Sequence, residues 1–162
     1  MRYYLAVSAL LCVSAPSLRA QQQPAPAKVY KVGDAVDFDH WTMVVTRVQP
    51  RWSSPIQRPT AGSRFVAVEI QVANHAAEAR NAPVPFFCTM VQASGGEHVG
   101  MLIMIGARPK FDASNIPANQ SRTGWATYQV ADQAGLLFEC QPGLAADATM
   151  SADAMLIWNL GL

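Results

Sequence analysis

One short stretch of the sequence combines side chains that could bind a soft metal ion. His98, Met101 and Met104 bring an imidazole and two thioethers close together, and these are ligands that copper(I) accepts. On a β-strand, however, His98 and Met104 share one face and Met101 points to the other, so they converge only through a bulge at Gly100. The simpler interpretation is that the methionines fill gaps in a core. A periplasmic copper-binding protein is therefore the alternative interpretation of the function.

The histidines His40, His75 and His98 are the candidates for a general base. A serine-type hydrolase would need a nucleophile held against one of them and a carboxylate that orients the imidazole. No nucleophile-elbow motif G-x-S-x-G occurs in the chain. A Walker loop, a dinucleotide fingerprint and an H-E-x-x-H motif are absent from the sequence too. We expect no catalytic residues and no cofactor, and a small hydrolase is the weakest alternative.

A proline-stiffened loop over residues 49–59 is the candidate binding surface. It sets Trp52 between Arg51 and Arg58. Arginine and tryptophan are enriched at binding hot spots, and binding residues tend to lie on loops that a rigid scaffold holds. The alternative is that Trp52 folds back over the edge of the domain while the arginines stay in water. The expected partner is an unknown protein or a cell-envelope ligand.

Composition predicts a single folded domain. The chain has 162 residues, of which 51% are hydrophobic and 14% charged, so it can bury a substantial core. The formal net charge is +1, from 12 basic and 11 acidic side chains. This balance lacks the basic footprint that nucleic-acid binding requires, so we expect no nucleic-acid partner.

The first twenty residues have the anatomy of a secretory signal peptide. Arg2 precedes an apolar run over residues 3–15, and the turn-prone end leads to Ala20 as the last residue removed. The run is too short to span a bilayer, which takes about 20 apolar residues. A lipoprotein signal at Cys12 is disfavoured because bulky Leu11 precedes it. We expect a secreted or periplasmic protein with no stable membrane span after cleavage.

Removal of the signal peptide changes the net charge and the number of cysteines. Loss of Arg2 and Arg19 leaves ten basic and eleven acidic side chains, a net charge of −1. Cys88 and Cys140 remain, in a compartment that permits disulfides. A bridge between them is favoured, and two separate buried thiols are the alternative.

The remaining chain divides into a leader and one domain. Residues 21–27 are polar and proline-rich, which predicts a flexible leader. From residue 28 to 162, short apolar runs alternate with turn residues and no helical periodicity is sustained, which is typical of an all-β domain. The predicted strands number seven to eight, which favours a sandwich. They cover residues 29–38, 41–48, 64–74, 86–92, 98–105, 124–130, 136–140 and 154–160.

Two predicted details concern how these strands face and pair. In residues 64–74 the even positions 66 to 72 form the core face and the odd positions the wetter face. Residues 94–97, which include Gly95 and Gly96, are expected to turn a hairpin between the strands 86–92 and 98–105.

The segment from Gly62 to Asn74 resembles the signature strand of a family of secreted bacterial immunoglobulin-like domains. It has a Gly, then the aromatic Phe65, then alternating aliphatics that end in an Asn. The chain is similar to the immunoprotective extracellular immunoglobulin-like proteins and to a related domain of unknown function. The resemblance covers residues 28–162 and implies an immunoglobulin-like β-sandwich of antiparallel strands outside the cytoplasm. It carries over no catalytic residues, and we therefore predict a non-catalytic binding or interaction module.

Overall fold

The protein is a sandwich of two β-sheets, as the computed structural model shows. It describes residues 28–85, 87–94, 100–103, 105–144 and 154–162. The predicted signal peptide (1–20) and leader (21–27) lie outside these residues. Nine strands occur in the described chain: β1 Val29–Lys31, β2 Ala35–Phe38, β3 Trp41–Gln49, β4 Ser63–Asn74, β5 Cys88–Gln92, β6 Gly100–Leu102, β7 Ser121–Ala131, β8 Leu136–Cys140 and β9 Leu156–Asn159.

The strands form a five-stranded sheet in the order β2-β3-β4-β7-β6 and a four-stranded sheet in the order β1-β9-β8-β5. The all-β, immunoglobulin-like sandwich class is confirmed. A short 3-10 helix covers Pro142–Leu144 between β8 and β9. No helix in the described ranges is long and apolar enough to cross a membrane.

The core lies between the two sheets, and on β4 it follows the predicted alternation. On β3 the side chains of Trp41, Met43 and Val45 are buried, and on β4 the even positions 66 to 72 are fully buried. The facing sheet contributes Phe138 and Trp158, whose ring centroids lie 6.2 Å apart. Tyr128 of β7 meets Phe138 edge-on at 5.8 Å. These large rings fill the space between the sheets.

The odd face of β4 is drier than expected. Phe65, Ala67 and Glu69 are 1%, 0% and 7% exposed. Residues 50–62 and 105–111 fold over this outer face of the five-stranded sheet: Trp52 packs against the buried cluster of Ala67, Ala107 and Trp125, and Trp52 N donates to Phe65 O. Alternation predicts which side chains share a face but not which loop covers it.

The predicted hairpin between residues 86–92 and 98–105 is wrong. β5 pairs with β8 in the four-stranded sheet, whereas β6 pairs with β7 in the five-stranded sheet. The two strands are the adjoining edges of different sheets, where the Thr89 hydroxyl donates to Gly100 O at 3.2 Å. The chain therefore passes from one sheet to the other between β5 and β6, and the predicted turn residues Gly95 and Gly96 lie outside the described residues.

The predicted early strand over residues 29–38 is two strands in different sheets. The chain turns at Gly33, whose φ of 96° suits glycine. Asp34 Oδ2 accepts the Lys31 amide hydrogen bond at 2.8 Å and closes the turn. β1, before the turn, pairs with β9 in parallel. This strand pair departs from the predicted antiparallel arrangement. This pairing joins the two ends of the domain.

Candidate functional site

The predicted loop residues Arg51, Trp52 and Arg58 separate in the structure. Trp52 is half-buried and packs on Phe65, with ring centroids 5.9 Å apart. The Arg51 guanidinium donates to both carboxylate oxygens of Asp132 at 2.8 and 3.0 Å. Arg58 is exposed. Trp52 thus folds back onto the domain, whereas Arg51 is held by Asp132.

An ion pair lies over the same outer face. Glu69 is 9% exposed in its side chain and accepts from Arg47 Nε at 2.7 Å and from the Thr46 hydroxyl at 2.6 Å. The Arg47 guanidinium carbon lies 5.5 Å from the ring centroid of Trp125. Hydrogen bonding from Arg47 holds the pKa of Glu69 below its ordinary value, against the opposing effect of burial. The buried Glu69 carboxylate is therefore paired within the domain.

The Glu69 carboxylate makes the stability of the fold sensitive to acid. A carboxylate with a lowered pKa in the folded state stabilises the protein above its unfolded pKa, and the contribution disappears as the pH falls through the folded pKa. We expect Glu69→Gln to lower the free energy of unfolding at about pH 7, and the difference from the wild type to disappear as the pH falls through the lowered pKa of Glu69. Urea unfolding across this pH range measures the difference.

Glu78→Gln is the matched control for that measurement. The Glu78 side chain is 71% exposed and pairs with Arg80 on the surface, so its removal has little effect at any pH. A Glu69→Gln deficit that stays constant from neutral to acidic pH would contradict the ion-pair interpretation.

Two of the three candidate histidines lie together at one end of the five-stranded sheet. The His75 amide donates to His40 O at 2.7 Å. The Thr42 hydroxyl donates to Asp37 Oδ1 at 2.6 Å and lies 2.7 Å from His75 Nε2, which therefore donates to it. In a hydrolytic triad the imidazole lies between hydroxyl and carboxylate. Here the Thr42 hydroxyl lies between Asp37 and His75 and donates its proton to the Asp37 carboxylate. This order of groups differs from that of a hydrolytic triad.

The His98, Met101 and Met104 group is only partly described. Met101 lies on the edge strand β6 with 64% of its surface exposed, while His98 and Met104 fall outside the described residues. Within the described ranges, no three His, Cys, Asp or Glu side chains are grouped as metal ligands.

The predicted disulfide is formed. The sulfurs of Cys88 and Cys140 are 2.11 Å apart, and the two residues lie directly opposite each other on β5 and β8. The bridge closes the end of the four-stranded sheet at which β5 begins.

A cleft of about 310 Å³ opens on the side of the sandwich where the edge strands β5 and β6 adjoin. Its walls are mainly apolar, and its rim carries three polar side chains. The lining residues are Pro85, Leu102, Lys110, Phe111, Asp112, Ala113 and Ser114.

Strand β7 holds one wall of the cleft in place. The Phe111 amide donates to Trp125 O at 3.0 Å. Arg122 Nη1 donates to Asp112 Oδ2 at 3.0 Å and to Ser114 O. A methyl group at Gly124 would lie 2.5 Å from Phe111 Cα, so only glycine lets this wall approach β7. The cleft is therefore built by backbone and side-chain bonds.

The acidic rim residue of the cleft is fixed and charged. Asp112 Oδ1 accepts from the Ser114 hydroxyl at 2.6 Å and from the Ser114 amide at 2.9 Å. These bonds hold the pKa of Asp112 below its ordinary value, the hydroxyl bond being the larger cause.

The sequence interpretation did not identify this cleft. The available signal was Gly124 within a predicted strand, because an isolated strand glycine marks a bulge or a close backbone approach. Gly124 leaves room for residues 109–114 to pack against β7. The sequence of that segment has no periodic pattern from which its place in the cleft wall could be predicted.

Comparison with solved structures gives similar β-sandwich proteins at low identity. The yjhA protein from Bacillus subtilis has a TM-score of 0.56 at 15% identity, over 82% of this chain and 99% of that one. MPT63, a secreted protein from Mycobacterium tuberculosis, has a TM-score of 0.59 at 15% identity, over 83% and 98%. The ycdA protein from Bacillus subtilis has a TM-score of 0.58 at 16% identity, over 77% of this chain and 38% of that one.

Sequence comparison identifies a family. No curated protein matches the chain significantly. The family described as domain of unknown function DUF4352 matches residues 30–151, a span that runs from β1 into the segment before β9 and includes the whole cleft. The chain therefore belongs to the DUF4352 family, as a β-sandwich domain with a disulfide-closed sheet and a built cleft between its sheet edges.

Proposed function

We propose that the protein is an exported, non-catalytic binding domain and that its ligand or partner occupies the cleft beside β6. The observation that carries the proposal is the construction of the cleft. Arg122 and Gly124 of β7 hold its wall through side-chain bonds and close backbone contact. Preorganised walls reduce the entropy lost on binding.

The size and surroundings of the cleft suit a small ligand or a single anchoring side chain. Its volume of about 310 Å³ lies at the lower end of small-molecule sites, which are about 300–1,000 Å³. Phe87 and Ile105 follow the lining residues Pro85 and Leu102 closely in the chain and are 37% and 43% exposed. Exposed apolar side chains near a cleft are typical of an interaction surface.

Export is supported by two features of the chain. The first twenty residues have the order of a basic start, an apolar run and a small-residue cleavage site. Cys88 and Cys140 form a disulfide, which persists in oxidising compartments. The structurally similar MPT63 is a secreted protein. We place this protein in the periplasm or outside the cell on these grounds.

Photo-crosslinking in the native cell envelope tests the cleft. A photoreactive residue in place of Ser114, at the rim, is expected to give a discrete adduct that intact-mass measurement identifies as a small molecule or a protein. Ala113→Trp should abolish the adduct, because the half-buried Ala113 lines the cleft and an indole would fill it. We expect at least a tenfold loss of adduct, about 1.4 kcal/mol of binding energy.

Ala77→Trp is the matched control, since Ala77 is exposed in a turn and is not among the lining residues. A second photoreactive position at Gln57 samples the loop that carries Arg51, Trp52 and Arg58. An adduct at position 114 that Ala113→Trp leaves unchanged would overturn the cleft as the site. An adduct at position 57 alone would transfer the site to the loop.

A further inference from the structure

The core behind the cleft contains a buried hydroxyl group without a hydrogen-bond partner. Tyr128 is fully buried, and its hydroxyl contacts no acceptor or donor among the described residues. The indole Nε1 of Trp158, in the same core, is also without a partner there. Leaving a buried polar group unpaired costs about 1–3 kcal/mol. Both donors thus lack the acceptor that buried donors ordinarily have.

Tyr128 lies next to the wall of the cleft. It is the register partner of Leu102 across β6 and β7, and Leu102 is one of the lining residues. Directly opposite side chains on neighbouring strands share a face, with Cβ atoms about 4.5–5.5 Å apart. Leu102 is only half-buried and packs at the margin of the core. Leu102 is therefore a neighbour of Tyr128 on one side and part of the cleft lining on the other.

The chemistry of the buried hydroxyl restricts what could pair with it. Burial raises the pKa of Tyr128, so the group remains a protonated donor. A charged acceptor would lose its hydration on entering this apolar core, and the cost is far greater than for a neutral one. An uncharged oxygen that accepts a hydrogen bond is the compatible partner.

We propose that the cleft binds a small uncharged molecule with an apolar body, whose carbonyl or ether oxygen accepts a hydrogen bond from the Tyr128 hydroxyl once Leu102 turns aside. This inference rests on the proposed function of the cleft and gives its ligand class. The apolar body packs on Phe111, Pro85 and Ala113, and the oxygen points inward. The polar rim of Lys110, Asp112 and Ser114 stays in water.

Acetophenone and ethylbenzene are the probes, because they share a shape and only acetophenone carries an acceptor oxygen. Binding to the purified ¹⁵N-labelled protein is followed by amide shifts of Leu102, Phe111 and Ala113. We expect acetophenone to bind the wild type and to bind Tyr128→Phe about tenfold more weakly. Ethylbenzene should bind both proteins equally. Benzoate, of similar size but charged, should not shift these amides.

Tyr30→Phe is the matched control, because Tyr30 lies on β1 in the other sheet. It should leave both affinities unchanged. Tyr128→Phe should retain the melting temperature of the wild type or raise it, since the hydroxyl lost has no partner among the described residues. A clear fall in melting temperature would show that this hydroxyl has a structural partner and would overturn the inference.

The remaining outcomes separate the inference from the proposed function. Equal acetophenone binding by the wild type and Tyr128→Phe would refute the role of the hydroxyl and leave the cleft as a binding site. Benzoate binding as tight as acetophenone binding would refute the requirement for an uncharged ligand. Failure of both uncharged probes to shift the cleft amides would refute this ligand class, whereas the proposed function is judged by the Ser114 adduct.

Discussion

Reducing the disulfide between Cys88 and Cys140 should lower the free energy of unfolding by about 4 kcal/mol, since the bridge closes a loop of 52 residues and restricts the unfolded chain. This is a large part of the 5–15 kcal/mol, roughly, by which domains are stable. Urea unfolding with and without reductant measures the loss. A thiol assay on the unfolded, unreduced protein should find no free Cys88 or Cys140.

The position of the bridge explains why its loss should be severe. β5 is an edge strand whose only partner within its sheet is β8, and Cys88 begins β5 where Cys140 ends β8. After β5 the chain leaves this sheet for β6 in the other one. Without the bridge, β5 is held by one ladder and by the side chains of Met90 and Val91 that it buries.

Cys88→Ala combined with Cys140→Ala is the control for the reductant. This variant should unfold at the urea concentration of the reduced wild type and show no response to reductant. If oxidised and reduced protein unfolded at the same concentration, the chain-entropy argument would fail for this domain. A double variant that unfolds at a lower urea concentration than the reduced wild type would point to packing of the sulfurs instead.

The parts of the fold that could be predicted are those that depend on nearby residues. The alternation on β4 identified the core positions Val66, Val68, Ile70 and Val72, because a strand side chain must face one side or the other. The cysteine pair followed from its even count and the inferred compartment. The signal peptide stays a prediction.

The parts that could not be predicted depend on contacts between distant segments. β1 pairs in parallel with β9, which lies near the other end of the sequence. No local pattern in residues 29–38 indicates that partner. β5 and β6 belong to different sheets but pack closely against each other. A methyl group at Gly100 of β6 would lie 2.6 Å from Met90 Cβ of β5. A sequence pattern gives the glycine but not the neighbour that requires it.

The candidate site has the same limits. Residue types singled out Arg51, Trp52 and Arg58, yet Trp52 packs on Phe65 and Arg51 pairs with Asp132, 81 positions further along the chain. The cleft consists of residues that carry no motif and become a site only when β7 holds them together. From the sequence, Tyr128 is an ordinary core aromatic residue. Only the missing hydrogen-bond partner of its hydroxyl group distinguishes it in the structure.

Replacing Asn74 should destabilise the domain nearly as much as breaking the disulfide. The side chain is fully buried at the end of β4. Its Nδ2 donates to Glu78 O at 2.8 Å and to Ile116 O at 2.9 Å, and its Oδ1 accepts from the Ala76 amide at 2.9 Å. Asn74→Ala leaves these groups unpaired, so we expect a loss of about 3 kcal/mol or more in urea unfolding.

Asn74→Asp distinguishes hydrogen bonding from packing, because it changes no volume. The introduced carboxylate can still accept from the Ala76 amide, but it faces the carbonyl oxygens of Glu78 and Ile116 with a negative charge. Repulsion raises the pKa of the introduced group in the folded state, so its deficit should be largest at neutral pH. The deficit should shrink as the pH falls through that raised pKa.

Asn119→Asp is the matched control, since Asn119 is exposed in a turn with a φ of 55° that aspartate tolerates. It should cost less than about 0.5 kcal/mol at neutral pH. A similarly small effect of Asn74→Asp would mean that the bonds to residues 78 and 116 contribute little. A large effect would explain why the signature strand ends in asparagine: this side chain fastens the end of β4 to the segment that leads into β7.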